Sequence, residues 1–139
     1  MLRPQAIEYN QASDAVKAVY DEIKTSRKLD DVNNFWKYLA NDEKTLRRTW
    51  DSVREVMAPG ALDPLVKELI YVAVSVTNNC GYCIASHSAA AAKAGMTAEQ
   101  YNELLAVVGM ANETNRLVQG WRVPVDPQFE DQPAELSRT

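Results

Sequence analysis

The six prolines of this chain, at positions 4, 59, 64, 124, 127 and 133, all stand in the tails or where a helix would start or stop. Between them apolar side chains recur at helical spacing, as in Val16, Val19, Tyr20 and Ile23, and again in Leu46, Trp50, Val53 and Met57. No long stretch alternates with the period of a half-buried strand. Proline inside a helix removes a hydrogen bond and clashes with the preceding turn. A chain that keeps proline out of its periodic segments is therefore predicted to be all-α, with those stripes, Trp36 and Trp50 included, forming its core.

Local signals place the helix ends. Ser13 is read as the cap of a first helix, Asn33 or Asn34 of a short one through Phe35, Trp36 and Leu39, and Asp42 of a third that stops before Pro59-Gly60. Asp63-Pro64 joins a capping carboxylate to proline at the first helical position and opens an apolar helix from about Pro64 to Val76. Thr77-Asn78-Asn79 continues a helix poorly and caps one well, so a break is expected at residues 77–79. The next helix would start at Cys80 and run through the alanine tract to Gly95. Thr97-Ala-Glu-Gln100 reads as a capping box for a last helix carrying Tyr101, Leu104, Leu105, Val108 and Ala111. Residues 1–120 are expected to form a single helical domain, and residues 121–139 a polar tail, mobile or packed on a neighbouring subunit.

A length of 139 residues suffices for one domain to bury a core without staples. With 46% hydrophobic and 24% charged residues the chain is not of the disordered class. Its net charge of −4, from 15 basic against 19 acidic side chains, comes with no basic block, which argues against a nucleic-acid partner. Met1-Leu-Arg-Pro4 lacks the apolar stretch of a signal peptide, and the run Leu69 to Val76 is far short of the ~20 residues of a membrane span. No membrane partner is expected, and a cytoplasmic location is.

All the cysteine and histidine of the chain falls in Cys80-Gly81-Tyr82-Cys83-Ile84-Ala85-Ser86-His87. Thiol and imidazole are the side chains most readily tuned near neutral pH, so this window is the expected reactive site. On a helix starting near Cys80, steps of three and four put Cys80, Cys83 and His87 on one face. Cysteines this close in sequence close too small a ring to stabilise a domain much. A zinc site would lack a strong fourth ligand, with only Glu68 or water to add to the window. No metal or cofactor is expected, and the pair reads as a redox dithiol that rests reduced in the cytoplasm. Cys80, at a helix start where unpaired N–H groups and the dipole favour an anion, would be the more acidic thiol. If the helices flanking residues 77–79 fold back on each other, Glu68 faces His87, Ser75 comes near Cys80 and Tyr71 near Ile84. Glu68 could then orient the imidazole and raise its basicity. Tyr82, Tyr71 and Ser75 could line the pocket around this group.

Glu68, eleven intervening residues, Cys80-x-x-Cys83, three more and His87 together resemble the signature of the AhpD-like alkylhydroperoxidases in the carboxymuconolactone decarboxylase superfamily. The resemblance implies a helical domain and a thiol peroxidase cycle: one cysteine attacks a peroxide, becomes a sulfenic acid, and is resolved by the other into a disulfide. It assigns the attack to Cys83, the exposed resolving thiol to Cys80 and a proton relay to Glu68 and His87. The attacking role thus competes with helix-terminus physics, which favours Cys80. It also implies homo-oligomers, trimers or hexamers, and a dithiol electron donor such as a lipoyl or thioredoxin-like protein. Tyr82 departs from the pattern, standing where some members have a second histidine. The superfamily's true decarboxylases lack the cysteine pair, so that reaction is not implied. The alternatives are a redox sensor that does not turn over, and an enzyme acting on a small organic acid with His87 and Glu68 as acid and base.

Overall fold

A computed structural model of the protein describes residues 4–130. Regular structure among them is helical throughout: a 3₁₀ turn at Tyr9–Gln11, then α1 (Asp14–Arg27), α2 (Asn34–Leu39), α3 (Glu43–Val56), α4 (Pro64–Thr77), α5 (Gly81–Lys93), α6 (Ala98–Trp121) and α7 (Pro127–Glu130). The fold class is the expected all-α one. Contacts divide the chain into two compact units, with the boundary between Ala61 and Leu62, just past Pro59-Gly60.

In the first unit the stripe of α1 (Val16, Val19, Tyr20 and Ile23) meets Trp36 of α2 and Leu46 and Trp50 of α3 in one buried cluster. Trp36 and Trp50 pack edge to face at 5.6 Å, the arrangement aromatic quadrupoles favour. Met57, expected in this core, is the residue after α3 and is only half-buried. Polar ties close the unit. Ser13 Oγ accepts the Val16 N–H at 3.3 Å as the N-cap of α1, and Asp42 caps α3 through the Lys44 N–H. Asn33 precedes α2 without a side-chain capping bond. Glu22 accepts both Arg47 terminal nitrogens, at 2.8 and 2.7 Å, and the Trp50 indole N–H at 3.0 Å. Lys37, buried despite its charge, donates to Glu8 at 2.7 Å and to Asp31 at 2.6 Å, which supplies the pairing a buried ammonium requires.

In the second unit α4 packs against both α5 and α6. That accounts for part of its apolar character, since a helix with two neighbours needs more than one stripe, while Val66, Ile70 and Val74 remain exposed. Val72, Ala91 and Val108, one from each helix, are buried there together with Ser75. Asp63 caps α4 through the Leu65 N–H at 2.8 Å, with Pro64 at the first turn. Thr97 and Gln100 form the expected capping box of α6. Gly95 takes φ of +100° after α5, and bonds from Gly95 N–H to Ala92 O (3.1 Å) and Met96 N–H to Ala91 O (3.0 Å) make a Schellman stop.

Helix α6 continues through Gly120 to Trp121, so the segment expected to leave the helix near residue 120 leaves one residue later, at Arg122 with φ of +51°. Of the expected tail, residues 131–139 lie outside the described residues. Among the described residues no helix is long and apolar enough to cross a membrane.

Candidate active site

The connector between α4 and α5 builds the site. Thr77 is still helical and Asn78 is the C-cap of α4, so the break expected at residues 77–79 falls one residue later. Asn79 N–H bonds Val76 O at 3.1 Å and Cys80 N–H bonds Ser75 O at 2.9 Å, while Asn79 sits at φ of +56°. This is a second Schellman stop, with asparagine in the left-handed seat that glycine usually fills. Asparagine is one of the few other residues that visit this region readily. Cys80 ends that motif and is at once the N-cap of α5, whose first helical residue is Gly81 rather than Cys80. Its Sγ accepts the Cys83 N–H at 3.3 Å, occupying one of the orphan donors of the helix start.

Cys80 and Cys83 are joined as a disulfide across a Cα separation of 5.3 Å. Both residues are half-buried, whereas Tyr82 between them is 48% exposed. His87 lies one turn beyond Cys83, and helical side chains lean toward the N-terminus, over the preceding turn. The imidazole therefore belongs to the Cys83 end of the dithiol.

Across the break, Glu68 Oε2 and His87 Nδ1 are 2.7 Å apart, their side chains only 18% and 22% exposed. The fold-back expected from the sequence thus brings the acid to the imidazole. Tyr71, one turn along α4 from Glu68, lays its ring on His87 with centroids 3.5 Å apart and planes 15° from parallel. The sequence placed Tyr71 near Ile84 and did not foresee this stack; the i, i+3 spacing from Glu68 was the signal that could have shown it. Ser75 is buried, donates to Tyr71 O at 2.7 Å and offers its own carbonyl to Cys80. It therefore braces the backbone of both neighbours. Asn112 of α6, also unforeseen, donates to Thr77 Oγ1 at 3.1 Å and to Val108 O at 2.8 Å, pinning the end of α4. A polar residue beside Val108 and Ala111 in the apolar stripe of α6 was its trace in the sequence.

Chemically, the arrangement offers two sulfurs that can interconvert between dithiol and disulfide, and one imidazole whose Nδ1 is committed to a carboxylate. That leaves Nε2 to accept and return a proton. Among the described residues no group of three His, Cys, Asp or Glu side chains could hold a metal ion.

These features define a class: a helical dithiol protein whose sulfur pair opens a helix beside a carboxylate and imidazole pair. The chain belongs to the carboxymuconolactone decarboxylase family, whose model matches residues 44–126, and within it is AhpD-like. It is similar to the crystal structure of the alkylhydroperoxidase AhpD core from Rhodospirillum rubrum, with 48% identity and a TM-score of 0.82, over 87% of this chain and 95% of that one. No curated protein matches the chain.

Proposed function

We propose that the protein is a thiol-dependent peroxidase that reduces organic or hydrogen peroxides through a Cys80–Cys83 dithiol/disulfide cycle served by a Glu68–His87 proton relay. The observation that carries this reading is the 2.7 Å contact between Glu68 and His87, made across a helix break by the chain's only imidazole. The likeness to an alkylhydroperoxidase supplies the peroxide.

Starting from the dithiol, His87 takes the Cys83 proton and the thiolate attacks the terminal peroxide oxygen. The O–O bond breaks, Cys83 becomes a sulfenic acid, and the departing alkoxide takes the proton from His87 and leaves as an alcohol. Glu68 balances the imidazolium formed in between. The Cys80 thiol then attacks the Cys83 sulfur, forming the disulfide and releasing water. A dithiol donor, lipoyl or thioredoxin-like by analogy, restores both thiols and is itself oxidised to a disulfide. The proximity of His87 favours Cys83 for the attack, and the N-cap position of Cys80 favours it as the thiolate that resolves. Exposed apolar side chains on α4 (Val66, Ile70, Val74) and α6 (Val107, Met110, Leu117) support self-association of this chain, and the trimer or hexamer is taken by analogy with the family.

The test is a pulse of tert-butyl hydroperoxide on fully reduced protein, read by thiol titration and intact mass. Wild type should lose both thiols and two hydrogens. Cys80→Ser should stop at a sulfenic acid on Cys83 that dimedone traps, and Cys83→Ser should stay reduced. A wild-type dithiol that survives the pulse overturns the reading, and a sulfenic acid formed on Cys80 in Cys83→Ser reverses the assigned order. Steady-state peroxide consumption with dithiothreitol separates turnover from a sensor that reacts once.

A further inference from the structure

Hydrogen bonding to Glu68 fixes one atom of the His87 ring and leaves the ring free to pivot about it. A general acid needs its donating nitrogen held in direction as well as in place, because misplacement by about 1 Å can cost on the order of 10²-fold in rate. In-plane restraint comes from Glu68 at 2.7 Å. Restraint perpendicular to the plane comes from the Tyr71 ring, 3.5 Å away and 15° from parallel. Both restraints rise from one face of α4, a single turn apart. The Tyr71 backbone is tied in turn by the buried Ser75 hydroxyl at 2.7 Å.

The type of contact matters too. Two neutral rings prefer an offset or edge-on arrangement, whereas an aromatic face attracts a cationic ring laid over it. The observed contact is face to face, so the Tyr71 ring bears on the whole imidazole plane.

We propose that Tyr71 is a positioning residue for the relay: its ring holds the plane of His87 so that Nε2 delivers its proton to the oxygen leaving the peroxide at Cys83. This rests on the peroxidase reading above. The contribution comes from the ring face, not from the phenol hydroxyl, so phenylalanine should replace it and an aliphatic side chain should not.

The experiment compares two oxidants on reduced full-length protein, following disulfide formation in single turnovers. An alkyl hydroperoxide expels an alkoxide, which needs a proton as it leaves; a peroxycarboxylic acid expels a carboxylate, which does not. Tyr71→Leu should slow the reaction with tert-butyl hydroperoxide by roughly tenfold, a fraction of the 10²–10⁴ that positioned acid catalysis supplies. Its rate with peroxyacetic acid, for which His87 need only take the Cys83 proton and not return it, should fall by only about threefold, so that the ratio of the two rates shifts. Tyr71→Phe should keep both rates. Because the two oxidants are compared within one variant, general damage to the fold lowers both by the same factor and overturns the proposal. So does a Tyr71→Phe variant as slow as Tyr71→Leu. If wild type itself forms no disulfide with either oxidant, the peroxidase reading fails instead, and the two failures are told apart.

Discussion

Replacing Glu68 by glutamine keeps the shape of the side chain and an acceptor oxygen for His87 Nδ1, and removes only the charge. At the observed 2.7 Å the gross attraction between a carboxylate and an imidazolium is about 6 kcal/mol at an effective dielectric of ~20. Desolvation cancels most of it: hydrogen bonds to charged groups contribute about 1.5–3 kcal/mol net and neutral ones about 1 kcal/mol. Glutamine should therefore cost about 1–2 kcal/mol of transition-state stabilisation, or roughly 5- to 30-fold in rate, at about 1.4 kcal/mol per tenfold. Alanine loses the whole bond and should slow the step about 10- to 150-fold by the same conversion. The assay is stopped-flow mixing of reduced protein with tert-butyl hydroperoxide, with thiols counted in quenched samples. Unfolding curves of each variant confirm that the fold is intact. A Glu68→Gln rate within about twofold of wild type, well inside the smallest loss expected from removing the charge, would refute the relay.

Asn79, at φ of +56°, occupies a seat that costs an ordinary side chain about 1–2 kcal/mol. Asn79→Gly should keep or raise the unfolding midpoint, while Asn79→Ala lowers stability by about 1 kcal/mol and slows disulfide formation; an alanine variant with an unchanged midpoint contradicts the seat described. Hydrogen bonds from Arg47 first, then from the Trp50 indole, hold the Glu22 carboxyl down at about 2. Its folded value lies below its unfolded one, so its stabilisation is present at neutral pH and fades as pH falls from the ordinary glutamate range toward 2. The fall in urea midpoint between about pH 6 and about pH 3 should therefore be smaller for Glu22→Gln than for wild type, and equal falls in both would remove Glu22 from the acid response. Light scattering of the intact chain should give a trimer or hexamer, and Val74→Asp should shift it toward monomer; a monodisperse monomer would sink the assembly reading.

Much of this architecture could be read from the chain because its signals are local. Ser13, Asp63-Pro64 and Thr97 with Gln100 cap helices through atoms within three residues of themselves, so their roles survive whatever the rest of the chain does. The Glu68–His87 meeting was also legible, since a short connector that folds one helix back on the next leaves few alternatives for which turns meet. What escaped depends on side-chain direction or on distant segments. The Tyr71 ring lies on His87, a contact that depends on side-chain direction and that pairing residues by number does not specify. Nothing local marks Lys37 for burial, and it is buried because Glu8 and Asp31 converge on it from separate segments. The tail was expected from residue 121, but α6 runs through Gly120 to Trp121 and ends at Arg122, because glycine is tolerated within a helix at modest cost.

Cys80 closes one Schellman motif through its N–H and opens the next helix through its sulfur, so the connector has no residue to spare. Its length is consequently fixed. One inserted residue would force the two duties onto different positions and carry α5 about 100° around its axis relative to the end of α4, sweeping the sulfurs and the imidazole away from the acid. Substitutions around the dithiol can therefore be graded in effect, whereas insertions and deletions between α4 and α5 should be all-or-none, and alignments of functional relatives should run ungapped from Glu68 to His87.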